Sequence, residues 1–528
     1  MQYPFLSKKK FFRWDSRWLI FFMGFPFLLF FLLKNKSITL TWDGYIYLAL
    51  AQNISEGRGF TLGTKPHLFH SPLFPFLIAG MKNCFHLDVI TSAHLLCTLF
   101  FSLNIFLIFS YCKHYLRSQR IGFYAILIYI LSERVQRYSI ATISENVLTP
   151  LYGISILLSL SILLKRKYGF YKWIGLTLSM AAAYYCKPEA LAIYLILTGF
   201  IVLFSIRRKD RFFPILRMMG ISLILFFVCM IPNMIRIKEY TGDLSISGKS
   251  KPILFWAYCK HNNLVAPIEV DKYFFFEHTV EDAFVNFVNY SSPPFQINLL
   301  YILKNIFAVP VPYVYKFLGA LWTILILYYL AKNHRWKSAI FLLPAGMVIS
   351  IFILIMLLYP DPRFIIPLVP WLSIYAASLY LRILPKFNKS QYQYLFFIIL
   401  ILTEYPFTWC FQRDYYTPIT ENVIHAISKE NDTSKVRIAT NKISYCFMNG
   451  MDESYLIPRT LDTEDELCAY IKLSRPKYTI IEASRRNKNP AYVQNLFDSK
   501  MKYFNVVMEY PSNEKEAMVW VLALKEQP

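Results

Sequence analysis

The chain has 528 residues, 56% of them hydrophobic and 18% aromatic, with a formal net charge of +23. Apolar runs long enough to cross a bilayer recur from Trp18 onward, which excludes an ordinary soluble enzyme and predicts a polytopic membrane protein. The basic excess does not mark a nucleic-acid partner, because it is distributed as a topology signal.

Backbone hydrogen bonding in lipid requires helices, and the apolar runs predict them over roughly 18–34, 89–111, 119–132, 146–164, 173–186, 189–206, 218–235, 311–331, 338–358, 364–381 and 393–411, about eleven in all. A half-length apolar piece lies at 72–83. Lys and Arg crowd the arm before the first run and the alternate short loops at 113–120, 165–172, 207–217, 332–337 and 382–389, where only Asp15 and Asp210 oppose them. The intervening short loops hold Lys36, Arg58, Lys65, Arg134, Arg137, Lys187 and Arg363. By the positive-inside rule the N-terminus is cytoplasmic, and an odd number of spans places the C-terminus outside. The first run is long and lacks a small-residue processing site, so it reads as a retained anchor. The nine cysteines show no metal spacing.

The first extracytoplasmic loop, 35–71, opens on Thr41-Trp-Asp43-Gly-Tyr-Ile-Tyr47 and runs to Gly57. Its apolar residues suit a short helix at the membrane surface, capped by Thr41 and ended by Gly57 and Gly59. Asp43 then sits in the first turn. It is either a catalytic base or an acid that complements the helix dipole, and this stretch alone does not choose. Tyr47, one turn on, is an acceptor-facing or structural residue. Lys65-Pro-His-Leu-Phe-His70 follows, then Ser71-Pro72-Leu-Phe-Pro75, where proline suits the start of a helix. His70 could bind a phosphate or a metal, although a loop histidine more often does neither.

Glu145 opens the fourth span on the same face as Asp43. Acids at such depth are costly unless used or paired, and its plainer reading is a helix-start acid capped by Ser144. Lys187 and Glu189 in Lys187-Pro-Glu189 join that face, or pair with each other. The stretch 237–303 is the longest extramembrane loop before the tail, and its aromatics, Phe255-Trp256 and Tyr273-Phe-Phe-Phe276, suit a sugar, lipid or an interfacial anchor. In Tyr359-Pro-Asp361-Pro-Arg363-Phe-Ile-Ile-Pro367, Arg363 is placed to grip a phosphate with a fixed fork of donors. Asp361 is an alternative partner for it, and snorkelling to the interface is another reading.

The tail, 412–528, balances its cations and acids and reads as a solvated α/β domain. Strands are predicted at Val436–Ala439, Tyr478–Glu482, Phe504–Met508 and Met518–Leu524, with a capping box at Thr463-Glu-Asp-Glu466 and a helix start at Pro490. It holds no Gly-rich phosphate loop, Ser-His-Asp set or zinc spacing, so it covers or orients a site rather than making one.

The order of these motifs, and their shared side, resembles the GT-C class of membrane glycosyltransferases that use polyprenyl-phosphate sugars. The likeness is to the branch of protein O-mannosyltransferases and the lipid A aminoarabinose transferase. It covers most of 18–411 and rests on the Asp43 helix, Ser71-Pro-Leu-Phe-Pro75 where Pro-Pro-Leu is frequent, Glu145, Lys187-Pro-Glu189 where Arg-Pro-Glu is common, and Asp361-Pro-Arg-Phe-Ile-Ile-Pro367. The family often has Asp-Glu at the first-loop site, whereas Gly44 follows Asp43 here. The resemblance implies a GT-C membrane domain over 1–411, an inverting sugar transfer from an undecaprenyl- or dolichyl-phosphate carrier to a lipid, glycan or protein hydroxyl, and a bacterial inner membrane with the site on the periplasmic side. It implies Asp43 as general base and Glu145 as a second acid. Arg363, Lys187 and His70 would bind the donor phosphate, with Glu189, Asp361 and Tyr47 in acceptor or structural roles. Some relatives bind a divalent metal ion, for which the sequence places no ligands. A transporter of lipid-linked sugars is the alternative; it would be favoured by mid-membrane ionisable residues and an inverted repeat, and neither is seen.

Overall fold

The computed structural model describes residues 22–27, 42–62, 65–132, 141–164, 169–206, 209–242, 244–248, 339–357, 362–383, 437–440, 455–457, 463–484, 491–498, 500–511 and 517–525, with a few isolated positions besides. Most of them are helical. α1 (Trp42–Ser55) is followed by a short antiparallel ribbon of β1 (Thr61–Leu62) and β2 (Lys65–Pro66), then α2 (Leu73–Phe85). The helical body continues with α3 (Val89–His114), α4 (Gln119–Leu131), α5 (Glu145–Leu164), α6 (Phe170–Cys186), α7 (Ala190–Ile206) and α8 (Lys209–Thr241). After the undescribed stretch come α9 (Ala339–Leu357), a 3₁₀ segment at Pro362–Leu368 and α10 (Val369–Ile383).

Among the described residues, Val89–His114, Glu145–Leu164, Phe212–Tyr240 and Arg363–Leu381 are long and apolar enough to cross a membrane. At 1.5 Å per residue, the 26 residues of α3 exceed the roughly 30 Å hydrocarbon thickness. Capping residues set the starts: the Asp88 carboxylate accepts from the Thr91 amide at 2.8 Å, and Ser118 from Ile121 at 3.3 Å. The expected spans at 89–111, 119–132, 146–164, 173–186, 189–206 and 338–358 all appear as helices within a few residues of those bounds. That at 218–235 is longer than expected, because α8 continues through residues given to the loop, as far as Thr241. Beyond 248 the 237–303 loop lies outside the described residues, as do the runs at 393–411 and, apart from Val314, 311–331.

Small and hydroxylated residues pack the helices, as expected where apolar contact with lipid competes with apolar contact between helices. A Cβ on Gly346 would lie 2.4 Å from the Phe200 ring, so α9 can approach α7 this closely only at glycine. Ser155 and Ser179 share a 2.8 Å hydrogen bond between α5 and α6, and Thr177, Tyr194 and Ser222 join α6, α7 and α8. α10 is almost wholly buried, whereas α8 turns Phe213, Ile224 and Val228 outward, as a lipid-facing helix does.

The C-terminal part is a five-stranded sheet of β3 (Ile438–Thr440), β4 (Tyr455–Leu456), β5 (Tyr478–Ser484), β6 (Phe504–Pro511) and β7 (Ala517–Leu524), in the order β4-β3-β5-β7-β6. β3 runs parallel to β4 and β5, and β7 antiparallel to β5 and β6. α11 (Glu464–Ser474) begins with the expected capping box, both hydrogen bonds between Thr463 and Glu466 being formed, and α12 (Ala491–Phe497) starts directly after Pro490. Alternation along the strands gives the sheet two apolar faces. Ile481, Trp520 and Leu522 face Leu467 and Ile471 of α11 and Tyr492, Val493 and Leu496 of α12. Ile480, Val519 and Val521 face the other way, where they meet Ile438, Ile424 and Tyr45 of α1.

Candidate active site

α1 carries Asp43 in its first turn and Tyr47 one turn later on the same face. Gly57 and Gly59 both adopt positive φ, 79° and 78°, which ends the helix and turns the chain. Asn53 holds the turn by donating to the Thr61 carbonyl at 2.9 Å. The β1–β2 ribbon then returns the chain to His67 and His70 beside α1, and Pro72 and Pro75 begin α2 as expected. Thr41, the expected cap, lies outside the described residues.

Asp43 meets two cationic or basic groups from different parts of the chain. Arg363, 320 positions away on the 3₁₀ segment, donates through Nη1 to Oδ2. His70 Nε2 stands 3.7 Å from Oδ1. Asp43 is 26% exposed and Arg363 24%, so this pair is partly accessible, whereas His70 is buried. Burial on its own would raise the Asp43 carboxyl; the Arg363 guanidinium and His70 outweigh it and hold the group well below the usual carboxylate range. A depressed carboxylate adds stability above its unfolded value of about 3.9 and loses it only as pH falls through the lower folded value, so Asp43 is charged across the neutral range.

His67 also belongs to this cluster. The two imidazoles stack with centroids 5.0 Å apart, and His67 Nε2 lies 2.8 Å from His70 Nδ1. The His70 backbone amide donates to the same His67 Nε2 at 3.1 Å, which makes that nitrogen an acceptor, so His70 Nδ1 carries the hydrogen between the rings. Sequence reading passed over His67, although a second histidine three residues before His70 was the available signal. The Tyr47 ring stands edge-on to His70 at 5.0 Å, and its hydroxyl donates to Ser144 Oγ at 3.1 Å. Burial, then the charges of Asp43 and Glu145, push the Tyr47 phenol well above its ordinary value, so it remains a proton donor.

Ser144 leads to a second ion pair. Its hydroxyl lies 3.5 Å from Glu145 Oε2, and Glu145 Oε1 is 2.6 Å from Lys187 Nζ, with side chains only 4% and 12% exposed. Lys187 therefore reaches Glu145 across α5 and α6. Glu189 follows in the same turn with one carboxylate oxygen buried. The Phe364 ring joins the two pairs, with Lys187 Nζ 3.8 Å and Arg363 Cζ 5.8 Å from its centroid. Asp361 lies outside the described residues. Among the described residues no group of three or more His, Cys, Asp or Glu side chains is arranged to hold a metal ion.

The buried pair carries a stability prediction. Glu145→Gln removes one partner of a buried ion pair and is expected to cost about 3–5 kcal/mol, seen as a lower unfolding temperature in detergent. Glu145→Gln combined with Lys187→Met is expected to recover most of that loss, since neither charge is then stranded.

A model of the dolichyl-phosphate-mannose-protein mannosyltransferase family matches residues 69–234, a stretch that holds His70, Glu145, Lys187 and Glu189. No curated protein sequence matches the chain significantly. Among solved structures, ArnT from Cupriavidus metallidurans bound to undecaprenyl phosphate is similar, with TM-score 0.57 and 10% identity over 96% of this chain and 98% of that one. The apo state of the same protein gives TM-score 0.59 and 11% identity with the same coverage. The archaeal oligosaccharyltransferase AglB from Archaeoglobus fulgidus, in complex with an inhibitory peptide and a dolichol-phosphate, gives TM-score 0.53 and 11% identity over 96% of this chain and 74% of that one. The chain thus has the fold of the GT-C class of membrane glycosyltransferases and resembles them in sequence over residues 69–234.

Proposed function

We propose that the protein transfers a sugar from a polyprenyl-phosphate donor to a hydroxyl of a lipid, glycan or protein acceptor, on the extracytoplasmic face of a bacterial inner membrane and with inversion at the anomeric carbon. The observation that carries this reading is the meeting of Asp43 with Arg363 and His70 at a partly open position of a helical membrane body. The polyprenyl phosphates bound by the similar structures support the donor class.

The charges suggest the order of events. Without substrate, Asp43 and Glu145 balance Arg363 and Lys187. An incoming donor phosphate, a monoanionic diester, competes for a cation. The half-open Asp43–Arg363 pair yields before the buried Glu145–Lys187 pair, because the phosphate needs an accessible fork of donors. Arg363 then turns to the phosphate and Asp43 is left as a carboxylate facing the acceptor. The acceptor oxygen forms its bond to the anomeric carbon as its proton passes to Asp43. The bond from that carbon to the phosphate oxygen breaks with its electron pair staying on the polyprenyl phosphate, which becomes a dianion. Arg363, with Lys187 behind Phe364, stabilises that growing charge. His70, its ring held by His67, faces Asp43 Oδ1 and helps keep that carboxylate ionised. Glu145 keeps Lys187 in position, and Tyr47 supports His70.

This order predicts two different acid limbs. The dependence of kcat/KM for donor reports the free enzyme, where Arg363 holds Asp43 ionised, and is expected to show no loss from Asp43 between pH 7 and pH 5. The dependence of kcat reports the donor complex, where Asp43 has lost Arg363 and its pKa rises, so kcat is expected to fall first as pH is lowered. Identical acid limbs for both parameters would contradict the exchange of partners. The reaction class is tested by incubating purified protein with a panel of polyprenyl-phosphate sugars and acceptor extracts, with the anomeric configuration of the product read by NMR. Inverted product with release of polyprenyl phosphate is expected; retained configuration would overturn the single displacement.

A further inference from the structure

The C-terminal sheet has a direct hold on the helix that carries Asp43. α1 residues Asp43 and Tyr45 are two positions apart, about 200° around the helix axis, and so point in opposite directions. Tyr47, nearly in line with Asp43, packs with Leu48 and Ala51 into the core of the helical body. Tyr45 leaves that core. It is 3% exposed and packs in a separate cluster with Ile424, Ile438 of β3, Ile480 of β5, and Val519 and Val521 of β7, each of them buried. The first turn of α1 therefore lies between two bodies, with its Asp43 face toward Arg363 and His70 and its Tyr45 face in the sheet.

First turns of helices need such support. Their amides lack intrahelical partners, so a side chain there is held less firmly than one in the middle of a helix. A reacting carboxylate, in contrast, must be held to about half an ångström. Tyr45 is the residue of that turn that packs into the C-terminal sheet, and the sheet that receives it contains none of the ion-paired groups described above. We propose that Tyr45 is a positioning residue through which the C-terminal sheet sets Asp43 in register with Arg363 and His70. The inference rests on the sugar-transfer reading for its kinetic consequence, and on packing alone for its structural one.

The test uses the full-length protein in lipid nanodiscs, with hydrogen exchange of amides 42–48 and transfer kinetics measured on the same samples. Tyr45→Phe keeps the packed ring and is expected to stay much closer to the wild type than Tyr45→Ala in both. Tyr45→Ala is expected to speed exchange across 42–48 and to lower kcat by about 10²-fold, the size of effect an ångström of misplacement produces, with little change in the KM for donor. Val521→Ala, in the sheet, is expected to speed exchange across the same α1 amides and to lower kcat less. The double variant is expected to be no worse than Tyr45→Ala alone, because both remove one contact. Tyr45→Leu replaces Tyr45→Ala should the latter not fold. Wild-type exchange across 42–48 in Val521→Ala, or a double variant whose loss is the product of the single losses, would overturn the proposal. A wild-type protein that transfers no sugar would remove the function proposed above, while the exchange measurement would still decide the role of Tyr45.

Discussion

Asp43→Asn is expected to lower kcat for sugar transfer by about 10²–10⁴-fold, the range that general-base catalysis contributes. Asparagine preserves the size of the side chain, and its amide oxygen can still accept from Arg363, so the helix and the 3₁₀ segment keep their arrangement. What is lost is a group that takes the acceptor proton. The same substitution weakens the hold on Arg363, because an amide attracts guanidinium less than a carboxylate does. Donor phosphate then competes with a poorer partner, and the KM for donor is expected to fall together with kcat. That combination, slower turnover with tighter apparent donor binding, marks the removal of a group that opposes the ground-state complex. A base with no link to Arg363 would lower kcat and leave the KM for donor unchanged. Initial rates over a series of donor concentrations separate the two.

Arg363→Met is expected to lower kcat/KM for donor by about 10²–10³-fold, the loss found when one preorganised donor is removed from a site of developing negative charge. Methionine retains the length and apolar stem that pack near Phe364 but supplies neither charge nor fork. It also leaves Asp43 without its main cation, so the carboxyl rises from its depressed value. Arg363→Lys is expected to recover only part of the activity, because an ammonium is a point charge and cannot span Asp43 or a phosphate with two parallel hydrogen bonds. Full activity in Arg363→Lys would show that charge alone, without the geometry of the fork, is enough. Steady-state kinetics of the two variants with a single polyprenyl-phosphate sugar make the comparison.

Much of the helical body was legible from apolar runs, since a span must satisfy its own backbone and so has a minimum length and a composition. Prolines and glycines located the ends of α1 and the start of α2. The tail was legible as well: strand periodicity and the Thr463–Glu466 capping box are local signals, and β5, β6 and β7 appear where alternation puts them. Asp43, Glu145, Lys187 and Arg363 stood out as ionisable residues at membrane boundaries on one side. Their pairing did not. Lys187 had Glu189 as its nearest acid in sequence and Asp361 stood two residues before Arg363, but Lys187 reaches Glu145, 42 positions away, and Arg363 reaches Asp43. Which charges meet depends on how α1, α5 and the 3₁₀ segment converge, and no local period encodes that. Tyr45 was hidden for the same reason. On a surface helix it is one more apolar residue until the sheet that covers it is in place.

The central claim, that Asp43 serves sugar transfer from a polyprenyl phosphate, is tested most directly in membranes. Radiolabelled sugar on polyprenyl-phosphate donors would be presented with an envelope extract to membranes carrying the wild type or Asp43→Asn at matched expression. Label entering an acceptor with the wild type, and falling by about two orders of magnitude or more with Asp43→Asn, is the predicted result. Equal transfer by both would contradict Asp43 as the base, and no transfer by the wild type from any donor tried would contradict the transferase reading itself.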